Sequence, residues 1–103
     1  TENKEEAERS AKLFELMFGL PVRETSKSYF AGEEFEFMHG KGPGRCGHIG
    51  IRSNFVDRAI AYFTRQGFEF DESSIVYDEK TGRAKFVYFK DEISGFAVHI
   101  VQK

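Results

Sequence analysis

The sequence has no tryptophan, one cysteine and two prolines in 103 residues. A single cysteine, Cys46, excludes an internal disulfide, and no Asn-x-Ser/Thr acceptor is present, so we expect a chain of the cytoplasm. Apolar runs are only a few residues long, far short of the roughly 20 that cross a bilayer. The start, TENKEEAER, is acidic and unlike a signal peptide. Neither export nor membrane insertion is predicted.

The sequence also has no large excess of one sign of charge. Fifteen Lys and Arg oppose seventeen Asp and Glu, which gives a formal charge of −2. With both signs interspersed there is no basic surface for phosphate backbones, so nucleic-acid binding is not expected. Apolar residues make up 40% of the chain and include twelve Phe. That content fills one small core, and the length fits one domain.

The first half of the chain reads as a helix followed by short strands. Ala7, Ala11, Phe14 and Phe18 recur at helical spacing from Lys4 onward. A glycine, residue 19, follows and is expected to end the helix. The segments LPVRE, SYFAG and EEFEFMH then alternate as strands, and the glycine-rich stretch at 40–44 breaks the pattern.

The second half repeats this order with one strand added in front. CGHIGIRS alternates as a strand, and Ser53 or Asn54 is placed to cap a helix that Gly67 ends. The segments FEFDE, SSIVYDE, AKFVYFK and GFAVHIV then have strand character. The order is strand, helix and three strands.

These halves predict an α+β fold with two βαβββ-type modules, at 1–44 and 45–103. The first module lacks its opening strand, which we expect upstream of Thr1. Each module pairs one amphipathic helix with a sheet too small to be stable alone. We therefore expect one domain with a shared curved mixed sheet, helices on its outer face and a concavity opposite them.

Three polar residues alternate with apolar ones along the predicted strands. Period-two alternation turns Glu36, His48 and His99 away from the helices and into the concavity. Two imidazoles and a carboxylate match the ligand set of a divalent transition metal with an open position. The alternative is that His48 and His99 are ordinary sheet histidines, hydrogen-bonded to neighbours, and that Glu36 is a solvated residue.

Other candidate residues have weaker signals. Cys46 is predicted to share the face of His48, as a ligand, a reactive thiol or a small buried apolar residue. Arg52 and Tyr88 are candidates for lining the concavity and contacting a substrate. His39 lies beside glycines at a strand end, where we expect it to be exposed and without a role.

The duplicated order, with GHIGI opening the second module and GFAVHIV closing it, resembles the vicinal oxygen chelate superfamily, which includes glyoxalase I. The resemblance implies metal ligation by His48, Glu36 and His99, with Zn, Ni, Mn or Fe as the ion. It implies a small oxo-acid or related ligand and lyase or isomerase chemistry. The closing motif usually carries Glu where this chain has His99, and a fourth ligand would come from the missing strand.

From GHIGIRSN to the end, the chain is similar to the glyoxalase-like domain that follows the barrel in some bacterial 2-keto-4-hydroxyglutarate/2-keto-3-deoxy-6-phosphogluconate aldolases. The aldolase's Schiff-base lysine belongs to the barrel, for which this chain is too short. Two non-catalytic alternatives stay open. One is a small-ligand-binding accessory domain, and the other is a dimerisation unit in which a homodimer completes the open sheet edges.

Overall fold

A computed structural model describes all residues, 1–103, and has an α+β architecture of two helices and seven strands. The elements in chain order are α1 (Lys4–Phe18), β1 (Val22–Glu24), β2 (Ser28–Ala31), β3 (Phe35–Met38), β4 (Gly47–Ser53), α2 (Val56–Arg65), β5 (Phe70–Tyr77), β6 (Ala84–Phe89) and β7 (Phe96–Gln102). They form two compact units, residues 1–42 and 43–103, so the division falls inside the glycine-rich stretch. The predicted α+β class is confirmed. No helix combines the length and apolar content needed to span a membrane.

Helix α1 begins and ends at side-chain and backbone caps. The Asn3 side chain accepts a hydrogen bond from the Glu6 N–H at 2.8 Å, which satisfies one of the free donors of the first turn. At the other end Gly19 takes a left-handed conformation, φ 71°, and its N–H donates to the Glu15 carbonyl. The predicted end of the helix is confirmed, because only glycine adopts this conformation without steric cost.

The first unit is a three-stranded antiparallel sheet, β1-β2-β3, with α1 on one face. Its core consists of Ala7 and Ala11 from the helix and Tyr29 from the sheet. The Phe14 ring lies 5.0 Å from the rings of both Phe35 and Phe37. The two strand phenylalanines therefore face the helix as predicted, and alternation turns the residue between them to the opposite face.

His39 is not the exposed residue that its glycine neighbours indicated. Its ring lies 5.1 Å from the Tyr29 ring, and its Nε2 atom is buried without a hydrogen-bond partner. The prediction was wrong because the backbone still follows β2 here, with the His39 N–H donating to the Lys27 carbonyl. The side chain is thereby held against the end of the sheet.

The second unit is a four-stranded mixed sheet in the order β4-β7-β6-β5. Strand β4 pairs parallel with β7, and the other two pairings are antiparallel. The predicted succession of strand, helix and three strands is confirmed. FEFDE and SSIVYDE belong to the single strand β5, whose pairing with β6 shifts register between Asp71 and Tyr77.

Helix α2 ends as predicted but begins differently. Its N-cap is Phe55, with no side-chain cap, and the Ser53 hydroxyl instead accepts from the Phe55 N–H. The predicted caps at Ser53 and Asn54 were wrong because β4 extends through Ser53 before the helix begins. At the C-terminus Gly67 is left-handed, φ 93°, and the Phe68 N–H donates back to the Phe63 carbonyl. Together with the hydrogen bond from the Gly67 N–H to the Thr64 carbonyl, this bond makes a Schellman motif.

The core of the second unit lies between α2 and the middle strands, and it is built from Val56, Ala84, Val87 and Ile100. Ile49 and Ile51 share the helix-facing side of the sheet, since Ile51 is in register with Ile100. They are nevertheless 44% and 53% exposed. The helix does not cover them, because α2 packs on β6 and β7 while β4 is the edge strand.

Candidate functional site

The two histidines of the second unit lie side by side on one face of the sheet. In the parallel pair of β4 and β7, His48 is in register with Ala97 and Gly50 with His99. Paired residues of neighbouring strands point to the same face, so both imidazoles lie opposite the helix. Their ring centroids are 5.5 Å apart, with 41° between the ring planes. Pairing thus brings together two residues fifty-one positions apart.

Strand β6 supplies an aromatic wall beside His99. The Phe86 ring stacks on the His99 ring at 4.6 Å and 29°, and the Tyr88 ring meets it edge-on at 5.2 Å. Tyr88 is in register with His99, so its position follows from the antiparallel pairing of β6 and β7. We call His48, Phe86, Tyr88 and His99 the histidine–aromatic cluster. A ring held on two sides has little rotational freedom, which pre-orients the imidazole.

Gly50 makes room for this arrangement. A Cβ atom at position 50 would lie 2.6 Å from His99 Cε1 and 2.8 Å from His99 Nε2. The His99 ring therefore lies over the bare backbone of β4, a close approach that only glycine permits. Sequence reasoning missed this residue. The available signal was a glycine in mid-strand, on the same alternating side as His48 and between two isoleucines.

Glu36 belongs to the first unit, on the sheet face opposite α1. It is in register with Phe30 on β2, which in turn is in register with Arg23 on β1. The Arg23 guanidinium lies 4.6 Å from the centroid of the Phe30 ring. This face therefore presents a cation, an aromatic ring and an exposed carboxylate across three strands. That Glu36 meets the two histidines stays a prediction.

The three predicted substrate contacts have different surroundings. Tyr88 belongs to the histidine–aromatic cluster, and Arg52 shares the face of His48 by alternation along β4. Cys46 is exposed and precedes the strand, which begins at Gly47 with a φ of 116°. Because alternation holds only within the strand, that Cys46 shares the face of His48 stays a prediction. A Cβ on Gly95 would lie 2.7 Å from the Cys46 Sγ atom.

The donor set of the second unit fits a metal ion only in part. When two imidazole rings bind the same metal ion, each through one nitrogen about 2.1 Å from the ion, their ring centroids are about 5 Å apart. The observed 5.5 Å is close to that value. The structure contains no group of three or more His, Cys, Asp or Glu side chains placed to bind a metal ion. The pair therefore needs a third ligand from elsewhere to complete a site.

Comparisons with known proteins do not assign the chain. No protein-family model matches it, and neither the curated proteins nor the solved structures contain a match.

Proposed function

We propose that this chain is a domain of the vicinal oxygen chelate type, which binds a small oxygenated metabolite at a divalent metal ion held by His48 and His99, with Glu36 as the carboxylate ligand that the resemblance implies. The observation that carries the proposal is the pair of imidazoles 5.5 Å apart on adjacent strands. The order of the second unit, with its first and last strands paired parallel, supports the same assignment. The helix and three strands of the first unit repeat most of that order.

The third ligand is a separate part of the proposal. We propose Glu36 as the carboxylate ligand, which is the role that the resemblance to the vicinal oxygen chelate superfamily implies. Glu36 lies on the face opposite α1, just as the histidines lie opposite α2.

The chain's own residues then have separate roles. His48 and His99 donate ring nitrogens, and Glu36 contributes a negatively charged oxygen. Phe86 and Tyr88 hold the His99 ring in one orientation, and Arg52 supplies positive charge for an oxo-acid at the rim. Zn, Ni, Mn or Fe bound to these ligands would act as a Lewis acid toward a carbonyl or an enediolate, which is the basis of a lyase or isomerase activity.

Metal binding tests the proposal directly. Metal-free protein is titrated with Zn²⁺, Ni²⁺ and Mn²⁺ and followed by calorimetry and by melting temperature. We expect about one ion per chain and a higher melting temperature, since a ligand at a hundred times its Kd stabilises by about 2.7 kcal/mol. His48→Ala and His99→Ala should abolish binding, and Glu36→Gln should weaken it at least about tenfold.

His39→Gln is the matched control, because His39 is a partly buried histidine of the first unit that contacts Tyr29 and is not a proposed ligand. Binding should survive this change. No stoichiometric ion in the unaltered protein, or equal losses in His39→Gln and His99→Ala, would contradict the metal assignment. Retention of full affinity in Glu36→Gln would contradict the role of Glu36 as a ligand while leaving the histidine pair in place.

A second candidate function is a non-catalytic dimerisation module, such as an accessory domain of the aldolases that the sequence resembles. The observation in its favour is the exposed pair Ile49 and Ile51 on the edge strand β4. An edge strand with an apolar face is a surface that natural proteins usually cover. Light scattering of Ile49→Lys against the unaltered chain tests it, and a dimer that becomes monomeric is the expected result.

A further inference from the structure

The second unit contains a cavity that the proposed metal site does not use. It has a volume of about 480 Å³ and lies between the first turn of α2, the turn at 78–83 and the C-terminal end of β7. Its lining includes three cationic side chains, Arg58, Arg83 and Lys85, but no member of the histidine–aromatic cluster. A volume of this size accommodates a small metabolite.

Both carboxylates in the lining are turned toward backbone donors. Asp57 accepts a hydrogen bond from the Ala84 N–H at 3.2 Å. Asp78 accepts from the N–H groups of Lys80 and Thr81, at 2.8 and 3.0 Å. These bonds, with a contribution from the charge of Lys85, lower the pKa of Asp78. The acidic groups therefore serve the local backbone and do not form ion pairs with the cations of the cavity.

None of the three cations forms a close ion pair within the chain. The five ion pairs of the structure use Lys4, Lys12, Lys41, Arg45 and Lys90. The Arg58 guanidinium lies 4.5 Å from the centroid of the Phe55 ring, which leaves the N–H groups at its edge free for an acceptor. The lining holds three cations and two carboxylates, a net charge of +1 in a chain of net charge −2, and the carboxylates are engaged by backbone N–H groups.

We propose that this cavity binds the phosphate group of a small phosphorylated metabolite. Guanidinium groups match the geometry of a phosphate through paired N–H donors, and Lys85 adds a point charge. The Thr81 hydroxyl lines the same cavity as an additional donor. A nucleic acid does not fit these observations, because the rest of the surface carries mixed charge.

The experiment uses the full chain, labelled with ¹⁵N, and inorganic phosphate as the probe at constant ionic strength. We expect saturable shifts of backbone amides in the segments 54–58 and 78–85. The double variant R83Q/K85Q should weaken binding at least about tenfold, since each charge-assisted contact to phosphate is strong relative to a neutral one. The matched control, R65Q/K90Q, removes the same charge from exposed positions outside the cavity lining and should bind as the unaltered chain does.

Several results would overturn phosphate binding at this cavity. Shifts that do not saturate, or that spread evenly over all segments with Lys or Arg, would overturn the proposal. Equal weakening in the two double variants would do the same, since it reports only net charge. Malonate is the second probe, and binding as tight as that of phosphate would overturn the choice of a phosphate group in favour of carboxylates. R58Q, an exposed change next to Phe55, provides a further variant and should weaken phosphate binding without changing the dispersion of the spectrum.

Discussion

Replacing Gly50 with alanine tests the packing of the histidine–aromatic cluster. The added Cβ would lie 2.6 Å from His99 Cε1, whereas ordinary contacts begin at 3.4 Å, so the ring must move by about 0.8 Å. Such overpacking costs about 1–3 kcal/mol. Loss of glycine's freedom in the unfolded chain offsets about 0.4–1 kcal/mol of this cost. We therefore expect a net destabilisation of about 1–2 kcal/mol, and a melting temperature lower by about 4–16 °C.

A double-mutant cycle isolates the contact. Gly50→Ala is compared in the unaltered chain and in His99→Ala, with urea unfolding followed by far-UV circular dichroism because the chain has no tryptophan. Without the His99 ring, the added methyl group meets no close atom from this residue and should be neutral or slightly stabilising. Equal destabilisation in both backgrounds would refute the reasoning, since the cost would then arise in the strand and not at the ring.

Three further changes test the local structure. Asn3→Ala removes the acceptor for the Glu6 N–H and should lower the free energy of unfolding by about 1 kcal/mol in urea, while Asn3→Asp should be close to neutral. Gly67→Ala forces a side chain into a left-handed φ and should cost about 1–2 kcal/mol, whereas Gly42→Ala, at a position with ordinary φ and open space, should change little. Two backbone N–H groups lower the pKa of Asp78 below its usual 3.8. The ionised form of Asp78 therefore stabilises the fold when the pH is above the pKa of the unfolded chain. This stability is lost as the pH falls through the lowered pKa of the folded chain. The stability advantage of the unaltered chain over Asp78→Asn should therefore shrink between about pH 5 and pH 2, and a constant difference would contradict the assignment.

Local chemistry explains why much of the fold was predictable. Helix α1 follows from apolar residues at helical spacing and a glycine that ends it, both of which depend on neighbours in sequence. The same applies to the C-terminus of α2 at Gly67. The caps predicted for α2 failed because β4 continues through Ser53, which is decided by pairing with β7. The prediction that His39 is exposed failed for a similar reason, since its burial depends on Tyr29, ten positions away.

The sequence by itself determined which side of each strand is polar, because a pleated backbone alternates its side chains whatever surrounds it. Only the tertiary structure decided what those sides meet. The parallel register of β4 and β7 places His48 near His99, β6 adds Phe86 and Tyr88, and Gly50 admits the ring. Register and coverage depend on contacts between distant segments, and alternation within one strand carries no information about them.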